Sequence, residues 1–378
     1  MADNTGSWWA DDDEDDEELD LYDESSIRSR PNPKGNRPRT KTRPEHADAE
    51  IARVLGVDRG RYTVLLHEDT ADERQLTAAR SSELRRNPIV NGDRVAVVGD
   101  TTGEDGTLAR IVRIEPRTTL LRRSADDTDE VERVIVANAD QMLIVVAAAN
   151  PEPRTRLVDR YLVAAYDAGI EPMLCVTKTD LADPEPFLAN FAGLDLPVFT
   201  SRQDSMPVHD ITEALIGHDT VVVGHSGVGK STLVNHWLGS EVLATQETRV
   251  DDDEGRHTTT HRELLLLPGG GMVIDTPGIR ELQLAAADSS SLDETFGDVE
   301  ELAAACRFND CAHDTEPGCA VHAALADGSL PRDRYDSWLK LQRELRSIAV
   351  RTDARLRKEE RKRWHQLTEA ARTRTRHR

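Results

Sequence analysis

The sequence predicts a multidomain α/β protein. It should hold a small N-terminal β-barrel, a doubly wound parallel sheet around a phosphate-binding loop, and a C-terminal metal-binding segment with helices. Three observations carry that expectation. Residues 52–114 read as short alternating strands between Gly- and Asp-rich turns. Residues 133–285 alternate β-type runs with helical patterns around a glycine-rich loop that ends in Lys-Ser. Three of the four cysteines then fall within fourteen residues, with a histidine among them.

The barrel rests on residues 52–57, 62–67, 94–98 and 109–114, with Gly92-Asp93 and residues 103–106 supplying turn chemistry. An OB-fold is the leading choice, and strand count alone does not separate it from an SH3-like barrel. In the sheet, residues 142–147 and 173–176 read as short buried strands joined by a helix over 156–168. Residues 221–223 lead into the glycine-rich loop, and a helix continues to Gly239. Residues 263–267 and 272–274 read as a hairpin around Pro268-Gly269-Gly270-Gly271. A charged helical stretch from about residue 332 runs into the C-terminus.

At 378 residues the chain fits two or three domains, and 38% hydrophobic with 4% aromatic residues predicts an aliphatic core. No apolar run nears the roughly 18 residues that cross a bilayer. The N-terminus is acidic, unlike a secretory signal. Clustered cysteines, with Cys175 alone in an apolar run, fit a metal site in a reducing compartment better than a disulfide framework. The expectation is a cytoplasmic monomer with no membrane partner.

The net charge of -22 is unevenly spread. Residues 1–25 hold twelve acids and no Lys or Arg, residues 28–43 hold seven Lys or Arg and no acid, and the last 28 residues hold eleven against four acids. Phosphate attraction follows local patches rather than the global sum, so the acidic total does not exclude nucleic acid. Trp8-Trp9 and Leu19, Leu21 and Tyr22 form a candidate docking motif in the acidic tail.

Gly224-His225-Ser226-Gly227-Val228-Gly229-Lys230-Ser231, followed by Thr232, is a P-loop. Its backbone N–H groups and the following helix dipole wrap phosphates, Gly227 and Gly229 leave room, Lys230 neutralises β- and γ-phosphates, and Ser231 ligates Mg2+. Asp275-Thr276-Pro277-Gly278 follows, placing Asp275 at Mg2+ and the Gly278 N–H at the γ-phosphate. Thr177-Lys178-Thr179-Asp180 reads as a guanine-recognition motif, in which Asp180 accepts from N1–H and the N2 amine of the base. Thr177 stands where Asn is usual, which predicts the loss of one contact to the base. Thr200-Ser201 is the candidate loop beneath O6.

This guanine motif lies about fifty residues before the P-loop instead of after it. One site in space then requires a circularly permuted P-loop GTPase domain. The usual water-orienting Gln position is Ile279, so the function falls to Gly255-Arg256-His257-Thr258-Thr259-Thr260, with Thr259 at Mg2+ and His257 as a candidate catalytic group. Cys306, Cys311, His313 and Cys319 supply four ligands for structural zinc, favoured over iron–sulfur by the histidine.

Taken together these motifs resemble the RsgA family of circularly permuted bacterial GTPases, over roughly residues 48–345. The resemblance implies an OB-fold, a GTPase core and a zinc domain acting with GTP and Mg2+ on the small ribosomal subunit and its rRNA. It also implies subunit-stimulated hydrolysis, late subunit maturation and catalysis by His257. The expected division is a disordered tail at 1–47, the barrel at 48–118, the GTPase domain at 119–290, the zinc domain at 291–345 and a basic helical tail at 346–378. A P-loop ATPase or small-molecule kinase, and an RNA-binding switch without hydrolysis, are the alternatives. Asp180 argues against the first, and Ile279 is the feature that favours the second.

Overall fold

The structure, a computed structural model, describes residues 46, 48–84, 87–104, 106–124, 132–202, 208–239, 243, 264–275, 282, 284, 289–309, 311–313, 316–353, 355–358 and 361–362. β1 (Glu50–Asp58), β2 (Arg61–Leu66), β3 (Arg74–Arg80), β4 (Arg94–Gly99) and β5 (Ala109–Ile114) close a barrel in the order β1-β2-β3-β5-β4. Only the β3–β5 pair is parallel, as in an OB-type Greek key. Alternate residues point inward: Val54, Tyr62, Val64, Leu66, Val95, Val97 and Ile111 form its core. Leu55 and Leu65, one position out of phase, turn outward into the core of the neighbouring sheet.

β3 is absent from the sequence expectation. Its inward set is only Leu76 and Ala78, and the rest of Arg74–Arg80 is small or polar, so the period-2 signal is two residues long. Also unexpected is the antiparallel ribbon of β6 (Leu120–Ser124) and β7 (Glu132–Ala137), which follows the barrel in the chain. A bridge between Asn91 and Val136 ties it to the barrel.

The large sheet comprises β8 (Gln141–Ala147), β9 (Glu171–Thr177), β10 (Val198–Thr200), β11 (Asp219–Val223), β12 (Leu264–Leu266) and β13 (Met272–Asp275). Its order is β10-β9-β8-β11-β13-β12, parallel except for the β12–β13 hairpin. Near-continuous apolar runs split by alternation between two covered faces. Met142, Ile144, Val146, Leu174, Val221 and Ile274 face α1 (Thr155–Ala168). Leu143, Val145, Cys175, Val222 and Val273 share the other core with Ile211, Leu215, Leu233, Val234 and Trp237. A short α2 (Glu185–Leu188) precedes α3 (Val208–Leu215), and α4 (Lys230–Leu238) follows the P-loop.

The C-terminal region adds α5 (Ser289–Thr295), α6 (Gly297–Ala303), α7 (Ala320–Asp327) and α8 (Arg332–Thr352). Phe296, Val299, Val321, Leu330, Tyr335, Trp338 and Leu341 join the core that also contains the α1 residues. Buried charges fix the seam. Arg334, 1% exposed, donates to Asp159 at 2.7 Å and to both oxygens of Asp298 at 3.0 and 3.1 Å, and its guanidinium lies 4.2 Å over the Phe296 ring. On the barrel side Arg53 of β1 pairs with Asp219 at the start of β11 and with Glu68 at 3.0 Å. Among the described residues no helix is long and apolar enough to cross a membrane.

Candidate nucleotide site and metal-binding cluster

The sheet reverses its winding between β8 and β11, since β9 is added on one side of β8 and β13 on the far side of β11. A crevice opens at such a switch point, outside the carboxyl ends of the strands. The described candidate residues of the nucleotide site converge on that end: Thr177–Asp180 beyond β9, Thr200 and Ser201 at β10, the P-loop between β11 and α4, and Asp275 at the tip of β13. β9 lies second from the edge, because β10 adds outside it.

Within the P-loop, Gly227 and Gly229 adopt φ values of 79° and 101°. The tightest spot is Gly224, where a Cβ would sit 2.2 Å from the Val145 carbonyl oxygen. A Cβ on Gly229 would make only an ordinary contact, 3.7 Å from the Thr177 hydroxyl, so this glycine answers to backbone conformation rather than crowding. The Lys230 ammonium donates to the carbonyls of Gly224 and His225, both at 2.9 Å. Burial lowers its pKa, and the nearby Asp275 carboxylate opposes that shift.

Thr177 ends β9 beside the P-loop. Its side chain is buried, and its hydroxyl is directed at the Val228 carbonyl, with the Val146 carbonyl 3.2 Å away. The shorter side chain therefore braces the P-loop. Lys178, at φ 56°, donates to Gly227 O at 2.8 Å and to Asn150 O, linking the guanine-motif loop to the P-loop and to the segment after β8. Its pKa is lowered by burial and raised in part by Asp180. The Thr179 N–H and hydroxyl donate to Ser201 O at 3.2 and 3.3 Å, and the Ser201 N–H donates to Val176 O at 2.8 Å. Asp180 is exposed at the mouth. Asn150 and Val146 escaped the sequence because they act through backbone carbonyls, which carry no residue signature.

His257, Thr259 and Gly278, with the rest of the 255–260 segment and Ile279, lie outside the described residues. Cys175 is fully buried, and burial pushes its thiol up to about 12, so it is an inert core residue.

Cys306, Cys311, His313 and Cys319 place one ligand atom each within 4.8 Å of one another. The Cys306 and Cys319 sulfurs are 3.8 Å apart, and each is 3.5 Å from His313 Nδ1. Tetrahedral zinc with Zn–S bonds of about 2.3 Å needs sulfur separations of about 3.8 Å. The donor set and spacing therefore fit such an ion. Burial pulls the Cys306 thiol up, but N–H groups of Ala320 and Val321 at the start of α7 reverse the shift and favour thiolate. The backbone of His313, at φ 56°, is held through its carbonyl by the Tyr335 hydroxyl and by His322 Nε2 at 3.1 Å. Trp338 packs edge-on against its ring at 5.6 Å.

A P-loop flanked on one sheet by a preceding guanine motif and a following Asp-x-x-Gly segment defines a circularly permuted P-loop GTPase. A family model described as RsgA GTPase matches residues 114–285. A Listeria innocua protein named small ribosomal subunit biogenesis GTPase RsgA 1 is 37% identical over 333 residues, 86% of this chain and 92% of its own length. A Streptomyces coelicolor protein, named small ribosomal subunit biogenesis GTPase RsgA, is 39% identical over 321 residues, covering 82% and 84%. Two crystal structures are similar. YjeQ from Thermotoga maritima has a TM-score of 0.57 at 28% identity, covering 78% of this chain and 98% of its own. YloQ, described as a circularly permuted GTPase, has 0.58 at 27%, covering 81% and 98%. The chain belongs to the RsgA GTPase family and is a GTPase.

Proposed function

We propose that this chain is a GTP hydrolase that binds the small ribosomal subunit, assists its late maturation and is stimulated by it. The observation that carries the reading is the reversed motif order gathered at one switch point, in a chain that also holds a Cys3His cluster. Relatives named as small ribosomal subunit biogenesis GTPases supply the biological setting.

In this reading residues 224–232 wrap the phosphates, with the positive end of α4 aimed at them. Lys230 leaves its loop carbonyls for the β- and γ-phosphate oxygens, and their negative charge reverses the downward pull of burial on its pKa. Asp180 selects guanine, Lys178 lies along the base, and Thr179, Thr200 and Ser201 form the floor of the base pocket. Thr177 acts through Val228. Magnesium, when bound with GTP, neutralises charge that develops on the phosphates, and Ser231, Thr259 and Asp275 are its ligands or hold its water. Gly278 offers its N–H to the γ-phosphate, and His257 orients the attacking water in place of the missing glutamine. Zinc at Cys306, Cys311, His313 and Cys319 is structural and fixes a segment too small for a core of its own. The barrel (48–118) and zinc domain (291–345) dock on rRNA while the GTPase domain (119–290) times release of this cytoplasmic, monomeric factor.

The test is GTP turnover by the full chain, alone and with isolated small subunits. The expected result is a rise of at least about tenfold, equal to about 1.4 kcal/mol off the barrier. Unchanged turnover would remove the subunit as activator. His257→Ala is expected to abolish the stimulated rate while GDP still binds, and full stimulation in that variant would reassign the water-orienting role.

A further inference from the structure

The ligands of the metal cluster are not equally sheltered. Cys319 is buried, whereas Cys306 and Cys311 are half-buried, and Phe308 between them is 42% exposed. A small solute therefore reaches the cluster from the side that Cys306 and Cys311 form. Cys175, sealed in the sheet core, has no such access.

Two features single out Cys306 and Cys319 as a pair. Their sulfurs are 3.8 Å apart. The residues beside them are also joined without help from a metal, because the Arg307 N–H donates to Gly318 O at 3.2 Å. Gly318, at φ 79°, lets the two arms come that close, since a Cβ there would sit 3.3 Å from the Arg307 Cβ. The Ala320 N–H, in the first turn of α7, donates to the Cys306 sulfur at 3.3 Å and so holds a sulfur anion in place. Cys311 hangs from a separate turn, its N–H donating to Phe308 O at 3.3 Å.

The same loop seats α8. The His313 carbonyl is held by the Tyr335 hydroxyl and by His322 Nε2, and Trp338 packs edge-on against its ring. Tyr335 and Trp338 are each 2% exposed, so the first half of α8 rests on the ligand loop.

We propose that the cluster is a peroxide-sensitive switch, in which Cys306 and Cys319 form a disulfide that releases zinc and unseats the first half of α8. The proposal rests on the reading of the cluster as a zinc site. The Cys306 thiolate attacks one oxygen of hydrogen peroxide, so an S–O bond forms, the O–O bond breaks and hydroxide leaves. The Cys319 thiolate then attacks the Cys306 sulfur, so the S–S bond forms, the S–O bond breaks and a second hydroxide leaves. The two sulfurs together give up two electrons, and one peroxide is reduced. Cys311 and His313 remain, two ligands where a tetrahedral site needs four, and the ion departs. His313 loses the bond that fixed its ring, and Tyr335 and Trp338 lose their footing. A dithiol reductant with zinc reverses the change.

The test treats the zinc-loaded full chain with hydrogen peroxide. Zinc is followed with a chromogenic chelator, disulfides by peptide mass mapping, and α8 by amide hydrogen exchange, with GDP binding titrated before and after. The expected result is zinc release in step with a Cys306–Cys319 crosslink, while Cys175 stays reduced. Amides of residues 335–341 should then exchange at least about fivefold faster, with GDP binding retained. Dithiothreitol with zinc should restore the starting state. Zinc held at peroxide doses that fully oxidise free glutathione overturns the proposal. So does zinc loss with sulfinic acids or another pairing in place of that crosslink, and so does an α8 indifferent to the loss. A chain that carries no zinc after purification from zinc-supplemented cells overturns the reading of the cluster as well, and metal analysis before treatment separates that case.

Discussion

Thr177 ties the guanine-motif loop to the P-loop through a single hydroxyl. Where Asn is usual, a hydroxyl is buried against the P-loop carbonyl of Val228. Thr177→Val keeps the shape and strands that carbonyl, so the expected loss of stability is about 1–3 kcal/mol, the cost of one unsatisfied buried polar group. Chemical denaturation with and without GDP reads it. The loss should appear in the nucleotide-free protein, because the brace exists without ligand. An effect confined to the GDP-bound form would instead return Thr177 to the base. The P-loop residues themselves were legible in the sequence, since wrapping phosphate with backbone N–H groups forces Gly, Lys and Ser into fixed positions. The crowded position was not. It is Gly224 against Val145, and strand-to-strand proximity decides it.

At the scale of elements, legibility followed the strength of the hydrophobic period. β8, β9, β11 and α1 carry unbroken apolar or helical patterns and lie within two residues of where the sequence put them. β3 has too few inward apolar residues to stand out, and β6 offers only Leu120 and Leu121 before it turns polar. The seam between α1 and α8 was also hidden, because Asp159 and Arg334 lie 175 residues apart and each looks like an ordinary solvated helix charge. Burial raises the Asp159 pKa to about 6, and Arg334 opposes that rise. An acid raised in this way favours the fold fully below its unfolded value of about 4 and loses that contribution as pH climbs through about 6. Arg334→Leu removes the opposing cation, so an ionised Asp159 is left buried without its partner at about pH 8, costing about 3–5 kcal/mol. At about pH 6 the carboxyl takes up a proton and the deficit shrinks. Urea midpoints of both proteins at the two pH values measure this, and a pH-independent deficit would mean that lost packing, not charge, sets the cost.

For the whole molecule, the question is what makes a barrel and a GTPase sheet behave as one body. Leu55 and Leu65 turn out of the barrel into the sheet's core, which supplies adhesion without fixing orientation. Orientation comes from Arg53, 5% exposed on β1, reaching Asp219 at the foot of the strand that leads into the P-loop. Glu68 holds the same guanidinium from the barrel side, so the cation is clamped between the two domains. A force on the barrel therefore reaches the base of β11 and, five residues on, Gly224. Arg53→Ala leaves Glu68 and Asp219 without their shared cation. The expected destabilisation is about 2–3 kcal/mol, below the about 3–5 kcal/mol of a fully buried pair because both carboxylates keep some solvent. Asp219→Ala alone should cost less, since Arg53 retains Glu68. In a double-mutant cycle the two changes should couple by at least about 1 kcal/mol, and the connection between barrel and sheet should become more open to limited proteolysis in either single variant. Additive losses with unchanged proteolysis would leave the apolar contact of Leu55 and Leu65 as what orients the barrel.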